Sequence, residues 1–381
     1  MFHTDTAATS HNATVRFDSD PKSLFRTIFL KSKLRGRDKL DSSIPDNFIP
    51  FALQNCAQWT LLVMFEPLKV SQSLKRRITH HIYNSDVTRA RTMFVSRAIG
   101  ALLKNPKPDQ SFKLTLSILL ADIDQRATRY TSERTSLEPS LARQRALNML
   151  VDYLDIITIQ APTYPFRSWY QLLSNIAPVF RDACPDPLGQ PVYLPGILSN
   201  PPFSLLFFVS LDVATSVTSG RPMLCKYDAG FSLELCDQLF ESQQNYGFQW
   251  LHGVPDQFIL LLAWINTLYE RHGVNAEPRV LAQIEGDISK IRIPPAGSTD
   301  PALQIGRTIV QEGWCQAVYI YFYMTLCGTS ARDQRVEQAR KIFMRLVNGT
   351  NPGRNPDGFL VIPMMILSPT RAIRTPESKS P

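Results

Sequence analysis

Apolar residues recur along this chain at the three- and four-residue spacing of helices, and the alternation typical of strands is nearly absent. Asp86, for example, can cap a helix whose apolar face carries Phe94 and Leu102, with arginines on the opposite side. We therefore expect an all-α fold, a multi-helix regulatory domain of packed antiparallel helices with no sheet. The patterns predict helices at 51–66 (ended by Pro67), 86–102, 112–123, 140–157 (capped by Ser140), 169–180, 203–217, 231–245, 255–271, 276–291, 303–327 and 332–348.

The strongest helix signal is WLHGVPDQFILLLAWINTLYERHG, from Trp250 to Gly273. Pro255 suits a first turn, where its missing N–H would have no intrahelical partner, and Gly273 stands where a left-handed cap is common. Apolar residues surround this helix instead of forming one stripe, which is typical of an element inside a helical assembly or at an interface. We expect Leu262 to face the core; an exposed docking surface is the alternative.

The polar and apolar composition divides the chain into three parts. Residues 1–47 are polar and predict a disordered arm, 48–364 predict the helical domain, and 365–381 form a polar tail. Six prolines between 185 and 202 mark a candidate joint inside the domain. A hydrophobic content of 44% and a charged content of 19% agree with a globular core.

One apolar segment invites comparison with a membrane span. Phe203–Val217 is 15 residues long and contains Asp212, whereas a spanning helix needs about 20 apolar residues. We expect a buried core helix and no membrane association. The first residues have neither the basic nor the apolar region of a signal peptide, so we expect no secretion.

Metal and enzyme signatures are missing from the sequence. The six cysteines stand at 56, 184, 225, 236, 315 and 327, and structural zinc sites need cysteines two to four residues apart. Metalloprotease, nucleophile-elbow, phosphate-loop and dinucleotide motifs are also missing. We expect the cysteines to be reduced and buried, and we expect no metal site, no cofactor and no enzymatic activity. His252 stands beside Gly253 at a helix start, and for it we expect a hydrogen-bonding role.

Positive charge is concentrated in two places. The chain has a net charge of +8, and residues 71–108 hold eight Lys or Arg against Asp86 alone. Lys75, Arg76 and Arg77 form a basic cluster, and 31–39 holds another. Such clusters can direct nuclear import or bind nucleic acid or anionic lipid, and a solvated helix face is the alternative. We expect at most weak, sequence-independent nucleic-acid binding.

The run EGWCQAVYIYFYMTLCG, 312–328, places aromatic residues at helical spacing. Such residues predict a core helix. Trp314 falls on one face of this helix, and Tyr319 and Tyr323 fall on a neighbouring face; the alternative is the wall of an apolar ligand pocket, with the tyrosine hydroxyls as polar groups.

Three stretches together resemble the fungal-specific transcription factor domain, the helical regulatory region of zinc-binuclear-cluster transcription factors. They are SLDVATSVTSGRPMLCKYD (210–228), GFQWLHGVPDQFILLLAWINTL (247–268) and 312–328. The features shared with the family are Asp212 ahead of a Gly220-Arg221-Pro222 turn, a Gly253-x-Pro255-Asp256 helix start, and the connection NGTNPGRNPDGFLVIP, 348–363.

The resemblance implies a regulatory domain in transcription control, in the nucleus (alternatively the cytoplasm). It implies action through the transcription machinery, other regulators or a small-molecule effector. The family's closely paired cysteines do not occur in this sequence, so zinc binding and sequence-specific DNA contact are not implied. The alternative is a helical protein-interaction scaffold, or a truncated relative, without a transcriptional role. The candidate effector- or partner-binding residues are Asp212, Arg221, Trp250, His252, Trp264, Trp314, Tyr319 and Tyr323.

Overall fold

The computed structural model describes residues 47–199, 202–242, 248–293, 301–350 and 356–368, and these ranges hold fifteen helices. The first six are α1 (Phe48–Val63), α2 (Pro67–Asn84), α3 (Asp86–Lys104), α4 (Gln110–Glu133), α5 (Pro139–Gln160) and α6 (Phe166–Ala183). The others are α7 (Leu194–Ser199), α8 (Phe203–Ser219), α9 (Leu233–Ser242), α10 (Phe248–His252), α11 (Asp256–His272), α12 (Pro278–Ile288), α13 (Pro301–Thr325), α14 (Gln334–Asn348) and α15 (Asp357–Leu367).

The expected all-α class is confirmed. Strand structure within the described ranges is limited to β1 (Val192–Tyr193) and β2 (Tyr227–Asp228), which pair in parallel. Two residues per strand are too few to carry a side-chain period, so no pattern in the sequence indicated this pair.

Helix α8 is the central element of the fold. It packs against α5, α6, α11 and α15. Phe208 on α8 stacks on Phe180 of α6 with ring centroids 4.1 Å apart, and both side chains are fully buried. The segment that we compared with a membrane span is therefore the centre of the core. No helix in the described part of the chain is long and apolar enough to cross a bilayer.

Helix α11 lies beside α8 and α13, and its side chains are buried almost all round. Leu262 is 1% exposed, which confirms the core interpretation of this helix. Gly273 has the expected positive φ of 61°, but its ψ of −136° differs from that of a left-handed cap.

Several predicted boundaries were wrong for local reasons. Pro67 ends the first predicted helix but also begins α2, a helix that we did not predict, because proline suits a first turn. Ser85 caps α3 through its Oγ, 3.2 Å from the Thr88 amide, so Asp86 is the first helical residue. Glu138 likewise precedes Pro139 and caps α5 in place of Ser140.

The candidate joint at 185–202 is held tightly wherever the structure describes it. The Arg181 guanidinium donates to the carbonyl oxygens of Asp186, Pro187 and Gln190. The Val192 amide donates to the Lys226 carbonyl over 2.9 Å, and α7 buries most of its side chains. Val192 and α7 thus pack into the core, whereas 187–191 lie on the surface.

The terminal segments fall mostly outside the described residues. Of the expected arm 1–47 the structure describes only Asn47, and of the tail 365–381 only 365–368. Helix α15 continues to Leu367, beyond the boundary expected at 364, because Ile366 is fully buried.

Candidate functional site

Asp212 holds the turn that follows α8. Its carboxylate accepts hydrogen bonds from the Leu224 amide (2.7 Å), the Cys225 amide (3.2 Å) and the Tyr227 hydroxyl (2.8 Å). Burial raises the pKa of Asp212 to about 6, although these hydrogen bonds act in the opposite direction. Gly220 ends the helix in the left-handed conformation, with φ 72°. Asp212 therefore organises the loop that carries Arg221.

Arg221 lies on the surface beside two aromatic rings of α6. Its guanidinium carbon is 4.8 Å from the ring centroid of Tyr170 and 5.9 Å from that of Phe166. The Arg221 carbonyl accepts a hydrogen bond from Ser216 Oγ at 2.7 Å. The loop is thus held by hydrogen bonds to α8 and by the contact of the Arg221 side chain with the two rings of α6.

A chain of buried hydrogen bonds links the three stretches on which the family resemblance rests. Asn266 Nδ2 donates to Ser216 Oγ over 3.1 Å, from α11 to α8. The Tyr321 hydroxyl on α13 donates to Asn266 Oδ1. Asn266 and Tyr321 are fully buried. Residues that are distant in sequence therefore form one polar network in the core.

Trp250, His252 and Trp264 lie at and after α10. The Trp250 carbonyl accepts from the Glu66 amide at 2.8 Å, which ties α10 to the start of α2. The His252 ring lies 5.8 Å from Phe207, and burial lowers its pKa to about 4. His252 Nε2 is buried without a hydrogen-bond partner among the described residues. Trp264 is half-buried against the core.

Trp314, Tyr319 and Tyr323 do not share one site. Trp314 is 2% exposed and packs in the core. Tyr319 and Tyr323 stack with centroids 6.1 Å apart, and the Tyr323 hydroxyl donates to Glu285 at 2.8 Å. The eight candidates thus fall into separate environments.

The basic cluster divides in the same way. Lys75 and Arg76 are exposed on α2, whereas Arg77 Nη2 contacts Asp155 Oδ1 of α5 at 3.2 Å. Asp155 raises the pKa of Arg77 further above its usual value. Arg77 therefore belongs to a second site.

We call this second site the arginine–aspartate cleft. It lies where α2, α3, α4 and α5 meet, and its cavity volume is about 30 Å³, room for roughly two water molecules. Its charged groups are Arg77, Arg91, Arg126, Asp122, Asp152 and Asp155.

Ion pairs across the cleft join four helices. Arg91 contacts Asp122 through Nε (3.0 Å) and Asp152 through Nη1 (3.2 Å). Arg126 contacts Asp152 through Nη1 (2.7 Å) and Asp122 through Nε (3.2 Å). Side-chain exposures between 11% and 36% leave every member within reach of solvent.

Burial also shifts the other titratable groups of the cleft. It raises the pKa of Asp155, which Arg77 lowers in part. It lowers the pKa of His81, with the charge of Arg77 acting in the same direction. It raises the pKa of the Cys56 thiol to about 11, which makes Cys56 a poor nucleophile.

The sequence did carry signals for this cleft. Asp122 and Arg126 are four residues apart, and Asp152 and Asp155 interrupt an otherwise apolar helix. Paired charges at such positions are typical of a polar site. Their partners come from other helices, however, and so cannot be read from local spacing.

The described residues contain no group of three or more His, Cys, Asp or Glu that could hold a metal ion. Comparison of the chain with known protein families, curated proteins and solved structures finds no match.

Proposed function

We propose that this chain is a regulatory helical domain that acts in the nucleus in transcription control, by binding other regulators or a small effector. One observation carries the proposal. The three stretches that resemble the fungal-specific transcription factor domain share a continuous buried network, Ser216–Asn266–Tyr321. Buried hydrogen bonds of this kind fix a specific helix arrangement. Such an arrangement supports the interpretation that the three stretches are parts of one domain.

A tethering experiment tests this proposal. The full chain, fused to an unrelated DNA-binding domain, should change transcription of a reporter severalfold relative to that DNA-binding domain alone. The untethered chain should accumulate in the nucleus. A strictly cytosolic protein with no effect on the reporter would count against a role in transcription.

A helical interaction scaffold is the second candidate, because α4 exposes two apolar side chains one turn apart. Leu114 is 61% exposed and Ile118 is 42% exposed. An unchanged reporter, together with a partner that the L114S/I118S double variant no longer binds, would favour the scaffold.

A further inference from the structure

We propose that the chain forms a homodimer through the exposed face of α4, and that the two copies of this helix pack antiparallel across a two-fold axis near Ile118. This inference goes beyond the proposed function, because it names the partner of this face. It can be tested on the purified protein, independently of transcription.

Helix α4 is buried on one face and exposed on the opposite one. It packs against α3 and α5, and its buried residues are Phe112, Leu116, Leu119, Ile123 and Tyr130. On the opposite face, Leu114 is 61% exposed and Ile118 is 42% exposed. Large apolar side chains that are neighbours on a surface are typical of an interaction site.

The exposed residues form a straight seam along α4. Their spacing alternates between four and three residues, which is the spacing at which two helices pack side by side. The apolar members are Leu114, Ile118 and Ala121, and the seam continues with the polar residues Gln125 and Thr128. An apolar contact of about two turns buries less surface than a stable interface requires, so we expect a weak, reversible dimer.

An antiparallel pair centred on Ile118 sets large side chains against small ones. Leu114 lies four residues before Ile118 and Ala121 lies three residues after it, so Leu114 of each copy packs against the partner's Ala121. The two Ile118 side chains meet at the two-fold axis. Large residues opposite small ones let two helices interdigitate, and the two-fold axis makes the contact self-complementary.

The charges beside the seam also favour the antiparallel arrangement. Lys113 and Asp124 are exposed and lie on the same side of the seam, because eleven residues are about three full turns. In an antiparallel pair, the same sides of the two helices face each other, and Lys113 comes level with the partner's Asp124. The two-fold axis forms this ion pair twice. In a parallel pair the two side chains would be about 16 Å apart along the helix axis, and no such ion pair would form.

Sedimentation velocity of the purified full chain measures the association. Over the micromolar range, the weight-average sedimentation coefficient of the wild type should rise with concentration from the monomer value toward the dimer value. The L114S/I118S double variant should stay monomeric over the same range. Circular dichroism checks that this variant is folded.

Charge reversal tests the arrangement of the two helices. Lys113→Glu places a carboxylate opposite the partner's Asp124, and Asp124→Lys places an amine opposite the partner's Lys113. Each change acts twice in the dimer, so each should weaken association about tenfold. The double variant K113E/D124K restores two pairs of opposite charge and should associate as the wild type does. Lys341→Glu, an equal charge change at an exposed position of α14, is the matched control and should leave association unchanged.

Three results would overturn the inference: a wild-type sedimentation coefficient that does not change with concentration, association that persists in folded L114S/I118S, or a double charge reversal that associates no better than the single variants. The charge-reversal series decides the question even if L114S/I118S does not fold. A different protein that binds this face while the wild type stays monomeric would also count against the homodimer.

Discussion

Two side chains, the buried Asp212 and the half-buried His252, have pKa values that burial shifts in opposite directions. The pKa of Asp212 rises to about 6 because burial disfavours the carboxylate. The pKa of His252 falls to about 4 because burial disfavours the imidazolium. Both groups therefore titrate in the folded protein between about pH 4 and pH 6, and we expect their effects on stability to oppose each other.

The sign of each effect follows from which state binds more protons. Folded Asp212 takes up its proton at a higher pH than unfolded Asp212, so its contribution to the free energy of unfolding falls as pH rises from about 4 to 6. Unfolded His252 binds more protons than folded His252 between about pH 4 and 6.5. Its contribution is therefore complete above about pH 6.5 and is lost as pH falls toward 4.

Substitution of either residue should expose the contribution of the other. We expect the free energy of unfolding of His252→Gln to be higher in acid than at neutral pH, relative to the wild type. For Asp212→Asn we expect the opposite change. Each shift should be on the order of 2–3 kcal/mol between about pH 4 and pH 6.5. Denaturant unfolding at several pH values measures this. Asp212→Asn also loses hydrogen bonds, but this loss is the same at every pH. It therefore cancels when the stabilities of this variant at different pH values are compared.

Two variants with the same pH dependence as the wild type would contradict this account. That result would mean that water reaches both side chains in the folded protein.

Both residues can be singled out from the sequence, but their surroundings cannot be predicted from it. Asp212 interrupts an apolar helix, and a buried carboxylate needs partners. Two of those partners are the amides of Leu224 and Cys225, which only the folded loop brings near. The unpartnered Nε2 of His252 depends in the same way on the helices around it, and local spacing does not encode them.

At the scale of elements, three helices meet closely at Gly313. A Cβ added to this residue of α13 would lie 2.6 Å from Leu360 Cδ2 of α15 and 3.3 Å from Phe343 Cε2 of α14. Phe343 is fully buried, and Leu360 is 2% exposed. The missing side chain at Gly313 therefore sets how closely α14 and α15 approach α13.

Gly313→Ala should force these helices apart. We expect overpacking to lower the free energy of unfolding by about 1–3 kcal/mol. A lower midpoint of chemical unfolding would measure this loss. Gly286→Ala on α12 is the matched control, because Gly286 is exposed and its nearest neighbour would be Lys290 Nζ at 4.0 Å. The control should gain up to about 1 kcal/mol from helix propensity.

An equal gain in both variants would show that α13, α14 and α15 have room for the extra methyl group, and close packing at Gly313 would then be excluded.

The elements that the sequence predicted are those with a strong apolar pattern, such as α8 and α11. Helix α2 was not predicted, although Val70, Leu74, Ile78 and Ile82 recur every four residues, because the basic cluster makes this stretch polar overall. Helix α10 and the strands β1 and β2 are too short for a period to show. Their positions depend on contacts made by distant residues, such as the bond from the Glu66 amide to the Trp250 carbonyl.

At the scale of the whole molecule, the positive charge is less available than the sequence suggests. Arg77, Arg89 and Arg91 belong to the basic run 71–108, and all three contact aspartates. Charges that are paired in this way release fewer counterions when a polyanion approaches.

We therefore expect the purified chain to bind DNA weakly and without sequence preference at about 0.15 M salt. Fluorescence anisotropy with two unrelated duplexes at several salt concentrations measures this. Replacement of the exposed Lys75 and Arg76 by Gln should make the salt dependence shallower, because fewer counterions are released. Arg332→Gln, an exposed change far from this run in sequence, should leave it unaltered.

Nanomolar discrimination between the two duplexes would show that the chain reads DNA sequence by itself.

The central position of α8 limits how this chain can be divided. The prolines around 185–202 would suggest a natural breakpoint for gene fusion or recombination. A piece that ends there would separate Phe180 from Phe208 and would leave a large apolar surface of α5 and α6 in water. The complementary piece would keep α8 with only half of its neighbours. Recombination can therefore pass on this fold only as a whole. We expect chimeras that are joined at the prolines not to fold, whatever their activity would have been.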